Sequence, residues 1–540
     1  MNNAPSFTTY PSGPTRRSAI LGTAAAALMP TSLYISRARA TTVPQLDAMA
    51  KRGLSLFDTP ALSLAIVENG TPAVTRGYGV ERQGSSALVS DSTLFPIASL
   101  TKGFTSAAIA VLVADGKLNW GDKVSDRLPN FQLYDPVATR EMNIKDLLSH
   151  RSGLGVGEGD LMLFPPTTFT RPEVVSSLRY LKPADEFRNA FNYDNVLYIA
   201  AGELIGHVSG QPWETFVRDR ILVPAGMNDS VTSARMASRG DQVSLHARIA
   251  GPVRGLGPVQ PLPAPAETDL TNPAGGIRAS ARDMAEWMGL QLAGGALPDG
   301  RRLWSQDSAD TMWRPLAVVD VSPGAVDPAT DPHFVLSAPG WAVLDYRGVP
   351  VVMHSGQEPG MCSRLMLVPS RKFGLYIALN SEEETLHEAF AYSILDAQLG
   401  LPSKDYFAEG KARDEARRAR MRKRAETATL VRPIGATPPP LPLSAYVATY
   451  RSDWYGDVIV KQLRGSLMID FSRTPAMKGP LVPWNGQTFL TQFPDRDVEN
   501  ALVTFEQAAG REITAAKLQR ASPAADPSYD YQDLGLHRVR

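Results

Sequence analysis

Hydrophobic and polar positions along the 540-residue chain fall into two textures. In the first, from about Thr42 to Asp405, long apolar helical patterns cover Thr101 to Asp115, Asn195 to Ser209 and Ala281 to Leu292. Short strand-like runs flank them: Ser63-Leu64-Ala65-Ile66-Val67 early, then Val351-Val352-Met353 and Leu375-Tyr376-Ile377-Ala378-Leu379 late. Strands at both ends with helices between predict an α+β domain over 41–405, in which early and late strands share one sheet and a helical region is inserted. From Leu441 to Arg540 the pattern becomes short and alternating, as in Asp457-Val458-Ile459-Val460 and Ser466-Leu467-Met468-Ile469-Asp470, with Gly, Pro and Asn between segments. That texture predicts a small all-β sandwich or barrel over 441–540, with closure removing the exposed edges. The intervening 406–440 is charged and Pro-rich. Lys411 to Arg424 reads as a solvated helix, and Pro438-Pro439-Pro440 breaks the chain.

The first 40 residues read differently. A polar stretch is followed by Arg16-Arg17, a weakly apolar run from Ala19 to Leu33, and the small-residue site Ala38-Arg39-Ala40. This predicts a removable export signal cleaved near Ala40, and hence a periplasmic or secreted protein with no stable membrane anchor after cleavage. Thr15-Arg16-Arg17-Ser18-Ala19-Ile20-Leu21 resembles a twin-arginine signal, although Ala19 stands where an aromatic is usual; the general route stays open.

Composition removes several classes of function. Lys and Arg number 55 against 55 Asp and Glu, so no global field draws in nucleic acid. The single cysteine, Cys362, leaves no intramolecular disulfide, thiolate zinc site or iron–sulfur cluster, and is expected to be a buried, inert thiol.

Three polar motifs carry candidate chemistry. Ser99-Leu100-Thr101-Lys102 opens an apolar helix, which places Ser99 and Lys102 one turn apart on the same face. A neighbouring amine, depressed by partial burial from about 10.4, can accept the serine proton. The same four residues also suit an ordinary helix cap with a solvated lysine. Tyr193-Asp194-Asn195 precedes the second helix: a phenol between two ammonium-type donors can ionise below about 10 and act as acid and base, while Asn195 can anchor substrate and lysine. Here too a helix cap is the bland alternative. His354-Ser355-Gly356 ends an apolar run, where the glycine lets a substrate strand approach and the amide of Gln357 can join that of Ser99 as an oxyanion hole. His150 reads as a structural hydrogen-bonding residue, and Trp287 and Trp341 as core.

The order of these motifs resembles that of the penicillin-recognising serine hydrolases, the group of class C β-lactamases, D-aminopeptidases, DD-carboxypeptidases and related esterases. Leu147-Leu148-Ser149-His150-Arg151-Ser152-Gly153-Leu154, Pro273-Ala274-Gly275-Gly276-Ile277 and the Leu375 to Asn380 run extend the resemblance over most of 42–401. The resemblance implies an antiparallel sheet flanked by helices with a helical subdomain. It also implies an acyl-enzyme mechanism without metal or organic cofactor: Ser99 as nucleophile, Lys102 as proton acceptor and Tyr193 as acid/base. Asn195, His354, Ser355, Gly356 and Gln357 would then bind substrate. Tyr446-Val447-Ala448-Thr449-Tyr450 and Gln532-Asp533-Leu534 resemble a lipocalin-like domain found behind some serine peptidases, expected here to have a filled interior.

Class C β-lactamases carry Lys-Thr-Gly where this chain has His-Ser-Gly. A histidine titrating near about 6.5 is a weaker, pH-dependent anchor for a substrate carboxylate than a permanent ammonium. The reading is therefore a peptidase on small or D-residue-containing peptides. A carboxylesterase or β-lactamase of the same fold is the alternative, and a slowly deacylating penicillin-binding sensor is the alternative of a different class. Expected partners are a small peptide, ester or β-lactam, with homo-oligomers possible.

Overall fold

The structure is a computed structural model that describes residues 41–237, 242–251, 253–264, 268–320, 332–402, 404–427, 432–508, 512–522 and 528–539. The expected export signal lies outside the described residues. Among the described residues no helix is long and apolar enough to cross a membrane.

The central sheet is built from two early strands, β1 (Ala61–Glu68) and β2 (Thr71–Gly79), and six late ones. The late strands are β3 (Ala317–Val319), β4 (Val335–Ala338), β5 (Trp341–Tyr346), β6 (Val349–Glu358), β7 (Met361–Val368) and β8 (Phe373–Leu379). Their order is β2-β1-β8-β7-β6-β5-β4-β3, and the join between early and late parts is the antiparallel pairing of Leu64 with Ile377 and its neighbours. β1 is buried along nearly its whole length, as expected of a strand covered on both faces. Its alternate residues serve two cores. Leu62, Leu64 and Ile66 pack with α1 (Val43–Phe57) and with the late helix Glu384–Leu399 on one face. Ala61, Ala65 and Val67 belong to the other face's core, with α2 (Thr101–Ala114) and the helix Ala281–Leu292.

α2 is the helix that positions the chemistry. Every residue from Thr101 to Leu112 is buried, so it runs through the core between sheet and helical subdomain, and its apolar character on all sides follows from that. Phe104 stacks on Trp287 at 3.7 Å between ring centroids, and a side chain at Gly103 would meet Trp341 at 2.9 Å. Both tryptophans are therefore core residues. Cys362 is buried too, with its thiol pushed well above its ordinary value by desolvation.

The charged segment forms one helix, Tyr406–Thr427, which is more embedded than a solvated linker. Tyr406 and Phe407 are buried in the core beside the preceding helix, and Asp414 is only 2% exposed. Arg418 joins Asp414 to Glu383 at 2.7 Å each, so part of the charge pairs inward. The charge run hid this because its apolar residues cluster at one end.

The C-terminal strands, from Ala448–Ser452 to Leu536–Val539, close into an eight-stranded antiparallel barrel in which each strand pairs with its sequence neighbours and the last with the first. Between the sandwich and barrel alternatives the structure has the barrel. Its interior is filled by side chains, with Tyr446, Phe489 and Phe505 packed edge to face at 4.9 to 5.5 Å.

Candidate active site

Ser99 sits in a single turn of 3-10 helix, Ala98–Leu100, that leads into α2. The residue before it, Ala98, has φ +45°, a left-handed conformation an alanine adopts only when its surroundings impose it. Those surroundings are Leu245 and Met361, packed around Ala98 in a small apolar cluster. The turn holds the Ser99 hydroxyl over the first turn of α2, where Lys102 reaches it: Nζ to Oγ is 3.1 Å.

Lys102 is fully buried and makes two further contacts, to Asn195 Oδ1 at 2.9 Å and to the Ala274 carbonyl at 3.0 Å. Burial lowers the amine to about 7, against the pull of Asp160 and Asp194 in the other direction. The contact set then defines a direction for proton transfer. The Ala274 carbonyl only accepts. Asn195 is fixed with its oxygen toward the lysine because its Nδ2 donates to Asp160 Oδ2 at 2.9 Å. Of the three contacts, only the one to Ser99 Oγ can reverse, so a neutral Lys102 takes its hydrogen bond from the serine hydroxyl.

Tyr193 lies beside this pair, with the Ser99 side chain acting on its phenol. Its ring stacks on His150 at 4.3 Å, and Lys102 Nζ stands 4.9 Å from its centroid, over the face of the ring. The expectation of an ionised phenol is corrected here. Desolvation, with Asp160 and Asp194 adding to it, pushes the phenol above its ordinary value of 10. A single ammonium is near, and it faces the ring, whereas two donors to the oxygen would be needed to ionise it. Tyr193 is a neutral phenol that can pass a proton along.

His354 requires a second correction. It is half-buried on β6, its ring 6.3 Å from that of Tyr193, and its Nδ1 lies 2.6 Å from the Ser355 carbonyl. Desolvation and then the Lys102 charge push it far below 6.5, so it is neutral throughout the physiological range and does not act as a pH-dependent cation.

Gly356 is required by close approach. A Cβ there would lie 2.3 Å from the Ile97 carbonyl, 2.5 Å from Ser363 Oγ and 3.1 Å from the Ser99 amide nitrogen. β6 therefore runs directly against the turn carrying Ser99. Its pairing with β5 stops at Met353, which leaves the outer edge of His354, Ser355, Gly356 and Gln357 unpaired by β5. Gly356→Ala is expected to push strand and turn apart and lower kcat/KM at least about 100-fold, as misplacement by about 1 Å does. Steady-state rates with the Tm measured alongside check this.

The structure thus brings Ser99, Lys102, Tyr193, Asn195 and Gly356 into direct contact with one another's neighbours, with His354 beside Tyr193 and Ser355 and Gln357 exposed along the same strand. Sequence reasoning missed Asp160, the Ala274 carbonyl and the part played by Asp194, whereas His150 is the structural hydrogen-bonding residue it expected. Asp160 orients Asn195, and the Ala274 carbonyl holds the lysine. Asp194, inside the quoted motif, takes a hydrogen bond from Ser152 Oγ at 3.2 Å and gives its own amide to His150 Nδ1 at 3.2 Å. His150, its imidazole pushed below its ordinary value by burial, is the platform for Tyr193. The run Gly157-Glu158-Gly159-Asp160, with left-handed glycines on either side of Glu158, was the available signal for the first of these.

A protein-family model described as β-lactamase matches residues 47–399. The chain belongs to the β-lactamase family. A second family model, a domain of unknown function (DUF3471), matches 432–538. As a β-lactamase-family protein the chain is 27% identical over 419 residues to the unguisins hydrolase ungD of Aspergillus violaceofuscus, covering 75% of this chain and 74% of the relative. Among solved structures it shares its fold with an octameric penicillin-binding protein homologue from Pyrococcus abyssi. The TM-score is 0.56 and the identity 18%, with coverage of 88% of this chain and 98% of that one. It also shares the fold of a D-amino acid amidase from Ochrobactrum anthropi, at TM-score 0.53 and 20% identity, covering 65% and 96%. It is a serine hydrolase of the β-lactamase family.

Proposed function

We propose that this protein is an exported peptidase that cleaves small peptides, D-residue-containing ones among them, through an acyl-enzyme on Ser99. The observation that carries the reading is the buried Lys102, lowered to about 7, whose one reversible contact is Ser99. Ser99 Oγ attacks the scissile carbonyl carbon as its proton passes to Lys102 Nζ. The amides of Ser99 and Gln357 receive the oxyanion. Tyr193 relays the proton to the leaving nitrogen, the C–N bond breaks, and the amine departs. Water then adds to the acyl carbonyl, gives its proton back along the same route, and releases the acid with Ser99 restored.

A neutral His354 favours a peptide over a β-lactam or a free C-terminal carboxylate, because it offers that carboxylate no ion pair. The names of the ungD hydrolase and the D-amino acid amidase support amide substrates. Assembly into a homo-oligomer is part of the proposal, supported by the octameric homologue.

The test is a substrate panel on the chain from Thr41: D- and L-residue peptides, a short-chain ester and a cephalosporin, compared by kcat/KM. Ser99-dependent turnover of D-residue peptides at least about tenfold above the L-peptides is the expected result. Fast ester cleavage with inert peptides would make it an esterase, and a stable acyl adduct without turnover would make it a sensor.

A further inference from the structure

The loop that carries Asp160 is held from two sides. On the catalytic side, Asn195 Nδ2 donates to Asp160 Oδ2, and the Gly157 amide donates to the Tyr193 carbonyl at 2.9 Å. On the other side lies the C-terminal barrel. Ser528, 368 residues further along the chain, donates from Oγ to the same Asp160 Oδ2 at 3.0 Å. Asp530 receives the Gly159 amide at 2.6 Å and the Leu161 amide at 3.3 Å.

The two carboxylates of this junction are buried. Asp160 is 1% and Asp530 2% exposed. A Cβ at Gly157 would stand 3.3 Å from Ser528 Cα, so the barrel backbone lies directly on the loop. Asp160 Oδ1 is buried and takes no hydrogen bond among the described residues. Among the described residues, Ser528 is therefore one of two side-chain donors to a carboxylate that pays heavily for burial.

We propose that Ser528 and Asp530 are positioning residues for Ser99 acylation, through which the barrel orients Lys102 by way of Asp160 and Asn195. The inference rests on Lys102 being the proton acceptor of Ser99. The barrel is then more than an appended module: its docking completes a chain of contacts from Ser528 through Asp160 and Asn195 to Lys102.

The chain carries charge as well as geometry. Lys102 is faced by Ser99, by Tyr193 and Asp194 ahead of the helix Val196–Ser209, and by Tyr198 within that helix, whose ring centroid is 5.2 Å away. Asp160 faces it from the loop, with His150, whose imidazole burial pushes below its ordinary value, and the neutral β6 residue His354. Asp160 and Asp194 are thus the negative groups that favour the ammonium. Removing the Ser528 donor makes Asp160 easier to protonate, and a neutral Asp160 no longer supports the lysine charge. The pH at which Lys102 becomes neutral then falls.

The experiment measures the second-order rate of Ser99 acylation by an alkyl fluorophosphonate between pH 5 and 9, on the full chain from Thr41. Wild type is compared with Ser528→Ala, Asp160→Asn, the double variant and Asp530→Asn. Arg473→Ala is the control: it removes a different barrel contact, to Glu173 at 2.8 Å and to the Thr168 carbonyl. Ser528→Ala is expected to move the acid limb down by about 0.5 pH unit and lower the plateau about fivefold. Asp160→Asn is expected to move it by about one unit, and the double variant no further, because both act through one carboxylate. Asp530→Asn sets an amide donor against a backbone donor and lowers the plateau about tenfold. Arg473→Ala leaves the limb in place.

A Ser528→Ala limb that coincides with wild type, shifts that simply add in the double variant, or an Asp530→Asn plateau at the wild-type level would overturn the proposal. A wild-type rate with no acid limb near pH 7 would instead sink the assignment of Lys102 itself. The fluorophosphonate readout needs no natural substrate, so neither outcome depends on the peptidase reading.

Discussion

Lys102→Arg is expected to reduce kcat/KM about 10⁴-fold or more, with Ser99→Ala at least as severe and the double variant no worse than Ser99→Ala alone. The guanidinium stays charged at every accessible pH, so it cannot accept the serine proton, and its planar fork cannot meet Ser99, Asn195 Oδ1 and the Ala274 carbonyl together. Groups that act as one unit lose nearly everything with the first member, so the effects do not add. Single-turnover acylation measured by mass spectrometry on the intact chain checks this. An arginine variant that still acylates at more than about a tenth of the wild-type rate contradicts the assignment.

The second large effect is on pH. Activity requires a neutral Lys102, so kcat/KM should rise tenfold per unit below about pH 7 and then level off, making the rate at pH 5 about 100-fold lower than the plateau. Because Asp160 is itself pushed up to about 7 by burial, the step belongs to the Lys102–Asp160 pair as a whole. No basic limb should follow below pH 10, since Tyr193 is held above its ordinary value. His354 is neutral across this interval, so His354→Gln can lower the rate but should leave the acid limb where it is. A limb that disappears with His354→Gln would return that histidine to the role of a titrating anchor.

Much of this site was readable because its parts are local. Ser99 and Lys102 meet through one helical turn, and the apolar pattern from Thr101 predicted that helix almost to its last residue. The helix after Asn195 and the helix Ala281–Leu292 were equally plain, since each buries a run of residues long enough to impose a period. β6 was legible only in its apolar half: His354 to Glu358 continue the strand although they are polar, because that edge faces the cleft. The helix over Lys411 to Arg424 was legible and is mostly exposed, but its anchoring through Tyr406, Phe407 and the ion pair of Arg418 with Glu383 was not, because inward ion pairs look, in sequence, the same as solvated charge.

The sequence by itself therefore determined the candidate residues of the site, through the order of motifs that resembles a known family, and, through periodicity, that an α+β domain precedes an all-β one. Tertiary structure alone decided the charge states and the second tier of partners. Whether Tyr193 is a phenolate, whether His354 is a cation and where Lys102 titrates all depend on desolvation and on carboxylates brought from elsewhere in the chain. The link from the barrel to the lysine depends on Ser528 meeting Asp160 across 368 residues. No local pattern encodes such a meeting: it follows from how two separately folded cores dock, and burial at that junction gives each hydrogen bond its weight.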